Sequence, residues 1–257
     1  MKPTKEDVKG QFGRNARSYA SSKGHASGDD LDIVLKLLSP QKEMHVLDIA
    51  TGAGHTACKV APFVRSVLAG DLTPEMIEQT RLLAAARNLS NVEATVMDVE
   101  DLPAAGGSFD AVTCRIAPHH FLDIEKALSE IARVLKPSGI FLLEDSCAPS
   151  AARQDRFIND LERLRDPTHV RSYTASQWKA MLASAGFKIE RLRNYKKRHD
   201  VAEWLSHAGL THEKESLVLA AFAAAPLFAR RQFEIAYQGD RALSYADNKL
   251  IVRAIKL

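Results

Sequence analysis

Three acids stand at the ends of three successive apolar runs. Residues 46–54, VLDIATGAG, pass from apolar residues through Asp48 into a turn built from Ala50, Gly52 and Gly54. Small or missing side chains allow positive φ angles there and let a ligand approach the main chain closely. Asp71 closes the next run, SVLAGDL, and Asp98 closes VEATVMD. If the runs are strands of one parallel sheet, the three carboxylates share its carboxyl edge, where such sheets bind ligands. An acid at the end of the second strand, about 20 residues beyond the first, can accept both hydroxyl protons of a ribose and would repel a ribose phosphate. A lone aspartate there is as readily a helix cap or a turn former, whereas three in register point to a ligand.

The elements that would hold these acids follow from apolar periodicity. The first strand is read over residues 44–50, with a helix from about His55. Before it, Leu31, Val34, Leu35 and Leu38 recur at helical spacing. After SVLAGDL, Thr73 and Pro74 read as an N-cap followed by proline in the first helical position. FDAVTCRI reads as a fourth strand and IFLLED as a fifth. The helix between them carries Phe121, Ile124, Leu128, Ile131 and Leu135 on one face before KPSG stops it. Strands alternating with helices predict an α/β fold, a doubly wound, mostly parallel Rossmann-like sheet. An insertion at about 148–178, with an apolar stripe of Phe157, Leu161 and Leu164, could roof a pocket. Further helix is expected over about 201–236, and ALSYADNKLIVRAIKL reads as a terminal strand pair. The chain is thus read as a mobile leader, 1–30, and a single domain, 31–257.

A chain of 257 residues, 46% hydrophobic, can bury one sizeable core with a cap. No run is long and apolar enough to span a membrane, and the amino terminus lacks the apolar stretch of a secretory signal. Cys58, Cys114 and Cys147 show no metal-ligand spacing and suit buried thiols in a reducing compartment, so a cytoplasmic protein is expected. A net charge of +3 is too small to argue for nucleic acid, and Lys196, Lys197 and Arg198 read as a solvated strand edge.

The segments VLDIATGAGHTA, AGDLTPEMIEQT, VMDVEDLP, FDAVTCRIAPHHF and ALSEIARVLKPSG resemble, in order and spacing, class I S-adenosylmethionine-dependent methyltransferases, most of all the ubiquinone/menaquinone-methyltransferase-like branch of small-molecule enzymes. The resemblance covers roughly residues 10–190 and implies S-adenosyl-L-methionine as cofactor and a terminal antiparallel strand. It would set the turn from Ala50 to Gly54 against the methionine part of the cofactor and Asp71 against the ribose. Leu72 would pack on the adenine, and Asp98 with Val99 would read its amino edge. Arg115 and Ile116 would lie beside the methionyl group, and Asp48, Thr51 and Met76 complete the expected set. The leader QFGRNARSYA resembles the mobile cover of the family, in which Tyr19 would reach the cofactor. Two positions depart from the pattern: Ala50 stands where the family has its first loop glycine, and Ser138 precedes Gly139 where it has a glycine pair.

A sulfonium activates its own methyl group, so such an enzyme mainly aligns a nucleophile behind that carbon and excludes water. Where the nucleophile begins protonated, a base helps. In APHHF, His119 and His120 fall near the expected methyl position, with His120 the favoured base and His119 a supporting or capping residue. Glu144 and Asp145, leaving the fifth strand, are the competing bases or ligands for a hard cation, Asp145 being the alternative to the histidines. No metal is expected. The region after the fourth strand lacks the signature of an exocyclic-amine DNA methyltransferase, so the expected partner is a small acceptor, apolar or amphipathic, with the protein a monomer or homodimer. Two other functions share parts of the pattern. An NAD-dependent dehydrogenase would account for the first turn and the ribose acid but not for VMDVEDLP or EIARVLKPSG. A non-catalytic S-adenosylmethionine-binding module would keep every binding motif.

Overall fold

The computed structural model describes residues 2–21, 29–206 and 208–257. Its centre is a sheet in the order β3-β2-β1-β4-β5-β9-β7, formed by β1 (His45–Ile49), β2 (Ser66–Asp71), β3 (Val92–Val96), β4 (Phe109–Arg115), β5 (Leu135–Ala148), β7 (Phe187–Asp200) and β9 (Arg241–Lys256). Short strands β6 (Tyr173–Thr174) and β8 (Ala236–Gln238) pair with β5 and β9. The first five strands run parallel, and β9 lies antiparallel between β5 and β7.

The middle strands are apolar because both their faces are covered. Val34 and Leu38 of α2 (Asp29–Leu38) pack with Val46, Val67 and Ala111 on one face, joined by Ala57 and Val60 of α3 (His55–Val60). On the other face, Ala127, Leu128, Ile131 and Val134 of α5 (Ile124–Val134) pack with Leu47, Val112 and Phe141. Asp123 starts α5 as an N-cap, its side chain accepting from the Lys126 N–H at 3.0 Å. The helix α4 (Pro74–Ala86) begins with proline in its first turn, as its sequence predicts, although the Thr73 side chain makes no capping bond.

Three readings from periodicity need correction, the first being Phe121, which lies extended after the Pro118–His120 turn and ahead of α5 rather than on its face. Leu135 belongs to β5 and not to the preceding helix, because the chain turns extended directly after Val134 and KPSG lies within the strand. A Cβ at Gly139 would lie 2.8 Å from the Lys136 carbonyl oxygen, which demands glycine there, while Ser138 takes a φ of 61° at the departing position. The last residues form not a strand pair but one long strand, β9, whose centre is buried between two neighbours. Its apolar run Leu250 to Val252 follows from that interior place.

The insertion forms α6 (Ala152–Arg165) and leads through β6 into α7 (Ala175–Ser184), which opens with a capping box of Thr174 and Gln177. The helices α8 (Val201–Ser206), α9 (His212–Ala223) and α10 (Leu227–Gln232) follow β7. Ile158 and Leu161 of α6 bury against Trp204, Phe222, Phe233 and Tyr245, a separate core over the ends of β7 and β9. Leu164 turns outward and is exposed, so the stripe read from the sequence is narrower than expected. The described part of the leader is a helix, α1 (Lys5–Ser21), and no helix among the described residues is long and apolar enough to cross a membrane.

Candidate active site

The turn after β1 is shaped by two carboxylates. Asp48 is fully buried and accepts hydrogen bonds from the hydroxyls of Thr51 and Thr113, each at 2.5 Å, which ties the turn to β4. Burial pushes its carboxyl up to about 6. Asp71, at the end of β2, accepts from the N–H of Gly52 through one oxygen and from that of Thr73 through the other, both at 2.9 Å. Burial raises its carboxyl too, opposed by those two N–H groups. Ala50, Gly52 and Gly54 all take positive φ, at 47°, 57° and 83°. Alanine at position 50 therefore preserves the turn. Gly54 differs from its neighbours. It does not line the cleft but packs on α4, where a Cβ would fall 2.7 Å from Thr80 Cγ2, so its glycine serves helix packing rather than a ligand.

Around this turn lies an open cleft. Apart from Gly54, the residues expected at the cofactor all line it: Asp48, Ala50, Thr51 and Gly52 from the turn, Asp71, Leu72 and Met76 from β2 and α4, Asp98 and Val99 beyond β3, Arg115 and Ile116 beyond β4, and Tyr19 above. Leu72, Met97 and Val99 form an apolar slot beside Asp98, as an adenine ring with its amino group requires. A Cβ at Gly52 would meet nothing within 4 Å, which leaves the main chain of the turn open to a ligand. At the other end, Arg115 pairs with buried Asp30 at 2.5 Å and bonds to Thr56 at 3.1 Å, a fixed cation fit for a carboxylate. Ile116 holds a φ of 55°, costly for a β-branched side chain, at the end of β4. These features suit S-adenosyl-L-methionine from one end to the other.

α1 crosses this cleft. Lys5 pairs with Asp98 at 2.5 Å and Glu100 at 2.7 Å, Gln11 bonds to the Ala208 carbonyl, and the Phe12 ring lies 4.9 Å from that of His120. The sequence reading missed Lys5, Phe12 and His55, the last of which contacts the Tyr19 carbonyl at 3.4 Å. Residues 22–28, also assigned to the leader, lie outside the described residues.

Beyond Ile116 the chain forms a single turn at Pro118–His120, and the two histidines part company. His119 Nδ1 lies 2.6 Å from Asp145 Oδ1. His120 Nδ1 meets the carbonyl and hydroxyl of Thr168 instead, at 3.1 and 3.2 Å. The loop after α6 fixes the turn, since the N–H groups of Val170 and Arg171 donate to the His119 carbonyl. Burial pushes His119 well below the ordinary histidine range and Asp145 up to about 7. Glu144 points elsewhere and accepts from the Tyr195 hydroxyl at 2.6 Å. Both histidines line a second cavity, formed with α6, β7, β9 and α8, which shares Phe12, Tyr19, Ile116 and His120 with the first. No periodicity signalled that cavity, because its walls are scattered polar residues from elements far apart in the chain.

This arrangement has known counterparts. Residues 47–143 match the family described as methyltransferase domain. The chain is 36% identical over 246 residues to the uncharacterized methyltransferase YcgJ of Bacillus subtilis, covering 95% of this chain and 97% of that one. The crystal structure of YcgJ superposes with a TM-score of 0.86 at 35% identity, covering 89% and 98% of the two chains. Over 132 residues the chain is 35% identical to the ubiquinone/menaquinone biosynthesis C-methyltransferase UbiE of Rickettsia massiliae, spanning 49% of this chain and 52% of that one. The chain therefore belongs to the class I methyltransferases and uses S-adenosyl-L-methionine as methyl donor.

Replacing Asp71 with alanine should weaken S-adenosylhomocysteine binding about tenfold to a hundredfold, the loss of a charge-assisted acceptor. Titration calorimetry measures this, and an unchanged dissociation constant would place the ribose elsewhere.

Proposed function

We propose that the acceptor of this methyltransferase is a small molecule held in the second cavity and that His119, positioned by Asp145, takes its proton. The cofactor supplies an electrophilic methyl group, which the residues of the first cleft would hold: Asp71 the ribose, the apolar slot with Asp98 the adenine, and Arg115 the methionine carboxylate. The observation that carries the reading is the 2.6 Å contact of His119 Nδ1 with buried Asp145, on a turn shared by both cavities. An ionised Asp145 accepts Nδ1–H and leaves the Nε2 lone pair of His119 as the proton acceptor. A protonated Asp145 donates to Nδ1 and leaves the proton on Nε2, which then has no lone pair to offer. His120, favoured from sequence, is tethered to Thr168 and serves better as a wall between the two cavities.

The sign of the pH dependence follows. Asp145 is raised to about 7 by burial, so the working tautomer of His119 is present above that pH and is lost as the pH falls through it. Turnover should show an acidic limb near 7. Asp145→Asn should lower turnover about a hundredfold or more and abolish that limb while S-adenosylhomocysteine binding stays intact. Full turnover in that variant would mean that alignment alone drives transfer.

α1 is the second part of the proposal. Since Lys5 already occupies the Asp98 carboxylate and Phe12 and Tyr19 roof the cleft, the helix acts as a lid that moves to admit the cofactor and then excludes water. Amide exchange across Gln11–Ser21 should slow when S-adenosylhomocysteine is bound, and equal rates with and without it would contradict the lid.

A further inference from the structure

We propose that the second cavity receives an acceptor that arrives as a protonated amine, its ammonium group set against the carboxylates of Glu162 and Asp166. This rests on the reading of that cavity as the acceptor site. The walls decide the chemistry. Glu162, Arg165 and Asp166 face it from α6 and the residue after it, and Asp247 and Lys249 from β9. An apolar acceptor would strip water from these groups and return no hydrogen bond, which is costly. A purely apolar acceptor, one of the two kinds expected from sequence, therefore does not suit this cavity, whereas an amphipathic one that carries an amine does.

The cations of the inner wall are already answered within the protein. Lys249 pairs with Asp247 and bonds to Ser146, both at 2.8 Å. Arg165 donates to the Trp204 carbonyl at 3.1 Å and lies 4.6 Å from the centre of the Trp204 ring. The carboxylates have capacity to spare. Glu162, whose side chain is only 12% exposed, has Arg165 at 3.9 Å, and its carboxylate makes no hydrogen bond among the described residues. Asp166 spends Oδ1 on the N–H and hydroxyl of Thr168, and its Oδ2 has His120 no nearer than 4.0 Å. Burial pushes Glu162 up to about 7, a penalty that an ammonium would relieve. Phe12 and Tyr19 complete the enclosure. Lys197, on β7, has no ion pair among the described residues, and it is the group that a carboxylate-bearing acceptor would seek instead.

The amine must lose a proton before it can react. Transfer of that proton to His119 Nε2 frees the nitrogen lone pair. The lone pair forms the bond to the methyl carbon as the carbon–sulfur bond breaks, its electrons passing to sulfur. The products are a methylated ammonium and a neutral thioether, so the positive charge of the sulfonium ends on the acceptor, and the proton on His119 returns to solvent.

The test uses full-length protein saturated with S-adenosylhomocysteine and matched triples of amine, alcohol and carboxylate on propyl, hexyl and phenethyl frames. Calorimetry should show at least one amine binding about tenfold or more tighter than its alcohol and its carboxylate. With S-adenosylmethionine, that amine should gain one methyl group by mass spectrometry. Glu162→Gln, checked for an unchanged melting temperature and unchanged S-adenosylhomocysteine affinity, should remove the preference, and Asp166→Asn should reduce it. Asp145→Asn should still bind the amine, which separates failure of the base from failure of the amine site. An alcohol or carboxylate bound as tightly, no amine bound, or a preference that survives Glu162→Gln would overturn the amine chemistry. Binding without transfer in the unaltered protein would overturn the assignment of the cavity to the acceptor.

Discussion

Asp48 is a carboxylate with no access to water, and the shape of the cofactor cleft depends on how it is satisfied. Burying a charge is expensive unless hydrogen bonds replace the lost water. Here the hydroxyls of Thr51 and Thr113 do so, one from the turn and one from the neighbouring strand. The same two bonds fix the height of the turn above β4. Gly52 then presents its N–H to Asp71, so a second acid is oriented by the main chain that the first has positioned. Thr80 closes the circuit from α4 by donating to the Gly52 carbonyl at 2.8 Å. The turn is held from below, from the side and from the helix behind it, before any ligand is bound. Such preorganisation lowers the ordering cost of binding.

Much of this was legible in the sequence because strand and helix have different apolar periods. The five parallel strands, the acids at three of their ends and the glycine turn all obey local rules. Errors arose where tertiary context overrode them. Leu135 fits the apolar face of a helix but is the first residue of β5, fully buried there, and burial alone does not distinguish the two periods. Gly54 looks like a loop glycine made for a ligand, yet its contact is Thr80, which only the packed structure reveals. The leader reads as polar and glycine-containing, and its helix is held by long-range contacts from Lys5, Gln11 and Phe12.

The candidate base illustrates the same limit at one pair of residues. His119 and His120 are chemically identical in the sequence, and only the third dimension sets Asp145 beside one and Thr168 beside the other. The insertion contributes twice, because its loop anchors the turn through the His119 carbonyl while α6 and the residue after it supply Glu162 and Asp166 to the second cavity. A roof over the pocket was foreseeable from the position of the insertion. Its charge was not, since nothing local in the sequence sets Glu162 and Asp166 apart, and only the fold brings β7 and β9 around the same cavity.

The central claim is that cofactor and acceptor occupy adjoining cavities that meet beside Ile116 and the histidine turn. A crystal structure with S-adenosylhomocysteine bound tests it most directly. The account predicts the ribose hydroxyls on Asp71, the adenine between Leu72 and Val99, and the sulfur at the opening toward His119. A sulfur directed away from the second cavity, or a ribose remote from Asp71, would contradict it.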